Sequence, residues 1–234
     1  MPKIRIYLEK KIIKDEKILL NENQIHYLKN VMRKQNNDSI FAFDSVSEWK
    51  CSINLSEDKF LIPLELLRLS SPIDDIWICF SLIKRKNIKN IIEKVTEIGV
   101  KKIIPMITEY SEKFCISVDK LRRIAVEATE QNDSIYVPDI NEVEKIDALM
   151  KQWDKGRLIL FCDENGGRNL IDLKTLIKKH KKIAIFIGPI GGWSQNDRNC
   201  LEKNDIVKIG LGQNILKADT AAIYSLSCLK ALLR

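Results

Sequence analysis

Five apolar runs, all beyond Asp74, constrain the fold most strongly. They do not alternate between apolar and polar residues, which predicts strands buried on both faces of a parallel sheet. The runs are Ile76–Ile83, Ile103–Ile107, Leu158–Cys162, Ile183–Ile187 and Ile206–Leu211. Stretches with apolar residues at helical spacing lie between or after them, at 88–95, 121–128 and 222–233. Alternating strands and helices predict an α/β domain.

The residues before Ser70 follow a different pattern. Short β-like runs at 4–8, 18–20, 40–43, 50–55 and 60–67 are separated by polar turns, and one helical stretch runs from His26 to Met32. Many short strands with a single helix predict a small β-barrel. Ser70-Ser71-Pro72 is a plausible junction. The predicted domains are therefore residues 1–70 and 74–234.

Charge and rare residue types narrow the classes of function. The formal net charge of +7 is compatible with a polyanionic partner, although charge alone favours a lysine-rich solvated surface. The six cysteines are not closely spaced and there are two histidines, so neither a metal site nor a Ser-His-Asp triad is expected. With no leader and no apolar run approaching the roughly 20 residues of a membrane span, we expect a cytoplasmic protein without a membrane partner.

Glycines cluster after the fourth apolar run, in the segment from Ile187 to Ser194. Glycine lets the backbone turn sharply and approach a ligand closely. Ser194 with Asp197 three residues later resembles a helix N-cap with an acidic residue at N3. The segment is neither a P-loop nor a G-x-G-x-x-G loop. It is either a ligand-binding strand–loop–helix junction or a tight turn without a ligand.

A second segment, from Leu211 to Ala222, also leaves an apolar run and enters a helix. Asp219 and Thr220 are cap-type residues, and Ala221 and Ala222 are small enough for close packing. By itself this is a loop with a cap. Because the two segments leave neighbouring predicted strands, they could meet at one edge of the sheet and form a cleft.

Together the two segments resemble the 16S ribosomal RNA (uracil-N3) methyltransferases of the SPOUT, or trefoil-knot, superfamily. That family has a Gly-Pro-Glu-Gly-Gly loop, followed by Leu-Gly-x-x-Ile-Leu-Arg-x-x-Thr-Ala. Further similarity lies in Glu93–Val100 with Pro105, in Glu127–Gln131 with Val137-Pro138, in Arg5-Ile6-Tyr7, and in the His26–Arg33 helix. The resemblance therefore extends over nearly the whole chain.

The resemblance implies a PUA-like β-barrel followed by a trefoil-knotted parallel-sheet domain that binds S-adenosylmethionine in three loops. The cofactor-binding residues carried over are Leu160, Phe161, Cys162, Gly188, Pro189, Gly191, Gly192, Leu211, Gly212, Ile215, Leu216, Thr220 and Ala221. It also implies a homodimer. No metal is implied.

The family reaction is methylation of N3 of a uridine in 16S ribosomal RNA of the small ribosomal subunit, which requires an unpaired or splayed base. The catalytic candidates are Lys217, Glu97 and Glu127, with Glu130 a further candidate by type; for any single carboxylate a helix-surface or structural role is favoured. The candidates for RNA contact, for which a solvated face is the alternative, are Arg5, Lys29, Arg33, Lys34, Lys84, Arg85 and Lys86.

Three departures from the family pattern affect the expected function. Ile190 replaces a glutamate, Lys217 replaces an arginine whose planar fork it lacks, and Asp133-Ser134 replaces a Gly-Arg pair. The alternatives are an RNA-binding homologue that is weak or inactive as an enzyme and a SPOUT enzyme that acts on tRNA. A nucleotide-dependent oxidoreductase or a Rossmann-type methyltransferase is disfavoured, because the first α/β strand is followed by lysines and not by glycines.

Overall fold

A computed structural model describes residues 3–234, which form two compact units. The first unit contains residues 3–72 together with Thr129–Val137, and the second contains Ile73–Ala128 and Pro138–Arg234. The boundary near Pro72 lies close to the predicted junction. The segment Thr129–Val137 was expected in the C-terminal domain and instead belongs to the first unit.

The first unit is built on a five-stranded sheet in the order β1-β3-β4-β5-β2. Its strands are β1 (Arg5–Tyr7), β2 (Ile18–Leu19), β3 (Ser39–Phe43), β4 (Ser47–Asn54) and β5 (Phe60–Leu69). The pair β1 and β3 is parallel, and the other pairs are antiparallel. Among the described residues the edge strands β1 and β2 do not pair, so this ladder does not close into a full barrel.

The predicted helix of this unit divides into two parts. Helix α1 (Glu22–His26) begins at a capping box in which Asn21 and Gln24 satisfy each other's backbone N–H groups. It continues into a π-helical turn, Tyr27–Val31, that buries Leu28 in the core of the sheet. Neighbouring Lys29 stays exposed. The apolar spacing located the helix, whereas the change of hydrogen-bond pattern within it left no sequence signal.

A buried arginine explains why Thr129–Val137 joins the first unit. The Arg5 side chain is 3% exposed, and its Nε atom donates to Glu48 over 2.6 Å. The Arg5 guanidinium also donates to the carbonyl groups of Thr129, Asn132 and Ser134. These contacts engage four of the five N–H donors of the guanidinium, and the side chain is buried, so the structure gives Arg5 a structural role in place of the expected contact with RNA. The departure at Asp133-Ser134 lies in this clasped segment.

The second unit is built on an eight-stranded parallel sheet in the order β11-β13-β10-β12-β6-β7-β8, with β9 also paired to β7. The strands are β6 (Asp75–Ser81), β7 (Lys102–Ile107), β8 (Asp139–Ile140), β9 (Glu144–Lys145), β10 (Leu158–Cys162), β11 (Arg168–Asn169), β12 (Lys182–Ile187) and β13 (Ile206–Gly210). All five predicted strands are present. The central ones are buried along their length, as their continuous apolar runs predict.

Helices cover this sheet. They are α2 (Arg85–Ile98), α3 (Val118–Gln131), α4 (Ile146–Lys151), α5 (Lys174–Lys179), α6 (Gln195–Leu201) and α7 (Ala218–Leu233), with a 3-10 turn at Leu170–Leu173. The end of α3, from Thr129 onward, belongs to the first unit. The apolar stripe of α2 is buried, and α2 packs against α7. The short helices α4 and α5 were not predicted, because too few turns are present to show a 3.6-residue period.

The order in which strands are added to the sheet reverses at β10, near the middle of the sheet. From β10 it passes to β12 on one side and then returns to β13 on the other side of β10. Reversal of strand order in a parallel sheet leaves a crevice at the carboxyl ends of the strands.

Within residues 3–234, no helix is long and apolar enough to span a membrane.

Candidate active site

A cavity of about 770 Å³ lies at the carboxyl ends of β6, β10, β12 and β13. Its walls come from the start of α2, from the turn after β10, from the glycine-rich segment after β12, and from the segment between β13 and α7. The two segments singled out in the sequence therefore meet at one edge of the sheet. The cavity has the size of a small-molecule site.

Trp193 fixes the glycine-rich wall. Its indole Nε1 donates to the Cys162 carbonyl oxygen over 2.9 Å, and its ring lies 4.8 Å from the Phe161 ring between centroids. A Cβ atom on Gly188 would lie 2.7 Å from the same Nε1 atom. Glycine is therefore required at 188 because the indole occupies the space of a side chain.

An ion-pair cluster ties the turn after β10 to the same wall. Arg198 on α6 donates to the Asp163 carboxylate and to Glu164 Oε1, the latter over 2.8 Å. Glu164 Oε1 also accepts the backbone N–H of Trp193 over 3.0 Å. Gly192 has a φ of +75°, and a Cβ atom there would lie 2.6 Å from Glu164 Oε1. The turn after β10 and the glycine-rich segment after β12, which are distant in sequence, are thus held in a fixed position relative to each other.

Helix α6 begins where the sequence predicted. Ser194 caps it by accepting from the Asp197 backbone N–H, and the Asp197 side chain accepts from the Ser194 N–H. The Asp197 carboxylate also accepts the N–H of Glu109, over 3.3 and 3.4 Å to its two oxygens. The residues after β7 are thereby attached to the same helix start.

The wall between β13 and α7 is more open. Ile215 is 84% exposed, and a Cβ atom on Gly212, whose φ is +118°, would meet nothing within 4 Å. Backbone hydrogen bonding resumes at Lys217, whose carbonyl oxygen accepts the Ala221 N–H over 2.7 Å as α7 begins. Ala221 and Ala222 are buried, as their size suggested. Asp219 lines the cavity, and its Oδ2 atom accepts from Asn90 over 3.2 Å.

Comparison with known proteins identifies the family. A model described as RNA methyltransferase domain matches residues 69–230, and one described as RNA methyltransferase PUA domain matches residues 20–62. The chain belongs to the RNA methyltransferase family. The predicted family and enzyme class are therefore confirmed. So is the predicted fold class, a SPOUT-type parallel-sheet α/β domain with an N-terminal PUA-like domain.

Relatives of this RNA methyltransferase cover nearly its whole length. A Rickettsia conorii protein named ribosomal RNA small subunit methyltransferase E is 28% identical over 97% of this chain and 95% of its own. A Bacillus subtilis protein of the same name is 28% identical over 88% and 86%. A Legionella pneumophila putative methyltransferase solved with bound cofactor SAM has a TM-score of 0.87, with 22% identity over 99% of this chain and 98% of that chain.

A second solved structure shares the fold. It is a ribosomal RNA small subunit methyltransferase E from Neisseria gonorrhoeae bound to S-adenosyl methionine, with a TM-score of 0.83. It is 21% identical and covers 98% of this chain and 98% of that chain.

Most residues predicted to bind a cofactor line the cavity of the methyltransferase. They are Cys162, Gly188, Pro189, Gly191, Gly192, Leu211, Gly212, Ile215, Leu216 and Ala221. Leu160 and Phe161 lie behind the wall, inside the buried strand β10. Thr220 is exposed in the first turn of α7. Burial raises the pKa of the Cys162 thiol to about 12, so this cysteine is an inert wall residue.

The predicted catalytic residues separate into two groups. Lys217 is exposed and lines the cavity. Glu97 pairs with Lys94 over 2.8 Å on the surface of α2, and Glu127 is exposed on α3; neither belongs to the cavity lining. Glu130 accepts the Tyr7 N–H in the first unit. The structure thus favours the helix-surface alternative for Glu97 and Glu127 and the structural alternative for Glu130.

The predicted RNA-binding residues also divide. Lys84 and Lys86 line the cavity, whereas Arg85 lies over the Phe114 ring at 5.0 Å from its centroid. In the first unit Arg33 is exposed like Lys29, and Lys34 lies 3.7 Å from Asp38. Residues 3–234 contain no cluster of side chains that could hold a metal ion.

Sequence reasoning missed the residues that hold the walls in place. Asp163, Glu164 and Arg198 form the ion-pair cluster, and Asp219 is a carboxylate of the lining. An Asp-Glu pair at the end of an apolar run was a weak signal for the first two. The partner Arg198 lies 34 residues from Glu164, and nothing in the sequence connects them.

Proposed function

We propose that this RNA methyltransferase transfers a methyl group from S-adenosylmethionine to N3 of a uridine in 16S ribosomal RNA of the small ribosomal subunit. The observation that carries the proposal is the cavity of about 770 Å³ that three loops and the start of α2 form at the carboxyl edge of the sheet. The names of the full-length relatives and the contents of the two solved structures support it.

The cavity suits the cofactor in size and in chemistry. Small-molecule sites are commonly about 300–1,000 Å³ in volume, and Gly188, Gly191, Gly192 and Gly212 expose backbone groups there. The methyl carried by the sulfonium is already electrophilic, so the protein must align the reactants. The residues that would hold the cofactor are the lining residues predicted above, with Leu160 and Phe161 supporting the wall from behind and Thr220 at the start of α7.

Removal of the N3 proton is the step for which the chain must supply side chains. Asp219 lines the cavity and, among the described residues, makes no ion pair. We assign Asp219 as the acceptor of the N3 proton. Lys217 lines the same wall. Its ammonium group would stabilise the negative charge that develops on the uracil oxygens as this proton leaves.

The RNA backbone requires cations outside the reacting centre. Lys84 and Lys86 stand at the cavity, and Lys29, Arg33 and Lys34 lie on the first unit. We assign them to phosphate contacts, which position RNA without reading its sequence.

The protein is further proposed to act as a homodimer, which sedimentation equilibrium tests directly.

The function is tested by incubating purified protein with S-adenosylmethionine and unmodified small ribosomal subunits, then digesting the RNA for nucleoside mass spectrometry. We expect 3-methyluridine at one position. Naked 16S RNA and tRNA serve as comparison substrates, and methylation of tRNA alone would contradict the substrate. RNA binding without any methyl transfer would favour the inactive homologue suggested by Ile190 and Lys217. The Asp219→Asn variant should reduce kcat and leave RNA affinity unchanged.

A further inference from the structure

We propose that Tyr110 is a substrate-contacting residue whose ring stacks on the target base at the mouth of the cavity. The inference rests on the proposed function, because it supplies the surface that holds the splayed uridine. Tyr110 stands outside the cavity lining, in the turn that follows β7, and belongs to none of the motifs recognised in the sequence.

The turn that carries Tyr110 is rigid. The Thr108 N–H donates to Ser111 Oγ over 2.7 Å, and the Ser111 N–H donates back to the Thr108 carbonyl oxygen over 3.2 Å. The Thr108 hydroxyl also lies 2.8 Å from the hydroxyl of Ser81 in β6, and both of these side chains are buried. Tyr110 therefore projects from a closed turn that is anchored to the sheet.

Further bonds attach this turn to two walls of the cavity. On one side Glu109 contacts α6, through its N–H to Asp197 and through its Oε2, which accepts from Asn196 over 3.1 Å. On the other side the Glu112 N–H donates to the Leu82 carbonyl oxygen over 2.9 Å, next to the cavity residue Ile83. The position of Tyr110 is thus fixed relative to both walls.

The Tyr110 ring packs against the glycine-rich wall and is still accessible. A Cβ atom on Gly191 would lie 3.2 Å from Tyr110 Cβ and 3.7 Å from Cδ2, and Gly191 itself lines the cavity. Tyr110 is nevertheless 53% exposed, and neighbouring Ile190 is 69% exposed. Among the described residues none forms a hydrogen bond with the Tyr110 hydroxyl. The fold therefore leaves a partly exposed aromatic face beside the glycine-rich wall of the cavity, and packing alone does not explain it.

An exposed, rigid aromatic ring at this place matches a need of the reaction. N3 lies on the Watson–Crick edge, so the uridine must leave its stack before it can enter the cavity. Proteins hold splayed bases by stacking them on aromatic side chains. Tyr110 provides such a ring next to the backbone of Gly191. A side chain at position 191 would fill the space beside the ring and obstruct the approach of a base. The alternative, an exposed tyrosine with no ligand, predicts that the ring can be replaced without effect.

Two variants distinguish the contribution of the aromatic ring from that of the hydroxyl group and from that of side-chain volume. Tyr110→Phe keeps the aromatic face, and Tyr110→Leu keeps an apolar side chain without it. Because base–aromatic stacking contributes strongly to single-strand binding, Tyr110→Leu should lower kcat/KM for small subunits by roughly 5- to 150-fold. Tyr110→Phe should stay close to wild type, and both variants should bind S-adenosylmethionine as wild type does. Equal kcat/KM for the Leu variant and wild type would overturn the proposal.

A second readout does not depend on methyl transfer. Target RNA containing 5-iodouridine is irradiated with the full-length protein, and the crosslinked peptides are mapped by mass spectrometry. We expect the crosslink at Tyr110. A crosslink there without any 3-methyluridine would refute the proposed function and leave the stacking contact standing. Methylation with crosslinks only elsewhere would retain the function and refute the role of Tyr110.

Discussion

The two loops that were recognised in the sequence form opposite kinds of wall. Residues 188–193 are tied to their surroundings by Trp193, Glu164 and the Arg198 cluster. Residues 211–216 make no backbone or side-chain hydrogen bond and no ion pair among the described residues, and Ile215 is almost fully exposed. The first loop is hereafter the tied wall and the second the open wall.

The difference indicates that the two walls contribute in different ways to the binding of one ligand. A tied wall is organised before binding, so it loses little conformational freedom when a ligand arrives. An open wall has few buried contacts and exposed backbone, which are the marks of a segment that opens easily. The tied wall should therefore set the shape of the cofactor site, and the open wall should order upon binding.

The largest effect is expected from a matched pair of glycine substitutions. Gly192 and Gly212 both have positive φ, but a new Cβ meets Glu164 only at Gly192. Gly192→Ala should reduce the free energy of unfolding by about 2–4 kcal/mol, since overpacking adds to backbone strain. Gly212→Ala should cost about 1 kcal/mol, the strain alone. Urea denaturation measures both, and equal losses would contradict the distinction between the walls.

The next effect comes from removing the guanidinium that holds the tied wall. Arg198→Met leaves Asp163 and Glu164 without their cation in a partly buried place. We expect a loss of about 2–4 kcal/mol in the free energy of unfolding and weaker binding of S-adenosylmethionine by calorimetry. Lys182→Ala, which breaks an exposed pair with Asp154, is the control and should change neither quantity measurably. Wild-type affinity in Arg198→Met would show that the cluster does not organise the site.

A smaller effect is expected in hydrogen exchange. Amides of residues 211–216 should exchange quickly in the free protein and slow roughly tenfold or more on addition of S-adenosylmethionine, since binding closes the local opening. Amides of residues 188–193 should already be slow and change little. Peptide-level mass spectrometry follows both loops in one sample. Equal protection of the two loops before binding would remove the contrast.

The smallest effect is expected at Ile190, whose side chain is exposed to solvent while neighbouring Pro189 is buried. If the tied wall contacts the cofactor through its backbone, Ile190→Glu should change the Kd for S-adenosylmethionine by no more than about twofold. A titration of the variant beside wild type measures this. A change above tenfold would mean that the residue at 190 itself reaches the cofactor.

The same contrast explains how much of the molecule could be predicted. Continuous apolar runs fixed the strands of the parallel sheet, because burial on both faces leaves a direct trace in the sequence. The glycine segments marked the cavity, since parallel strands end at a common edge. The cap at Ser194 and Asp197 is local and was therefore readable.

What the sequence hid are contacts between distant residues. The bond from Trp193 to Cys162 and the pairing of Arg198 with Glu164 depend on strand order, and strand order follows from packing. Arg5 was misread for the same reason. A basic residue near the chain start suggested RNA, whereas its partners Glu48 and the carbonyl groups of 129–134 come together only in the folded unit.

The central claim is that the cavity between the tied and open walls holds the methyl donor of this RNA methyltransferase. A crystal structure of the protein with S-adenosylmethionine tests it most directly. We predict ligand density against the backbone of Gly188–Gly192, with residues 211–217 ordered over it and Asp163, Glu164 and Arg198 still paired. Density at another place, or none at saturating ligand, would contradict the account.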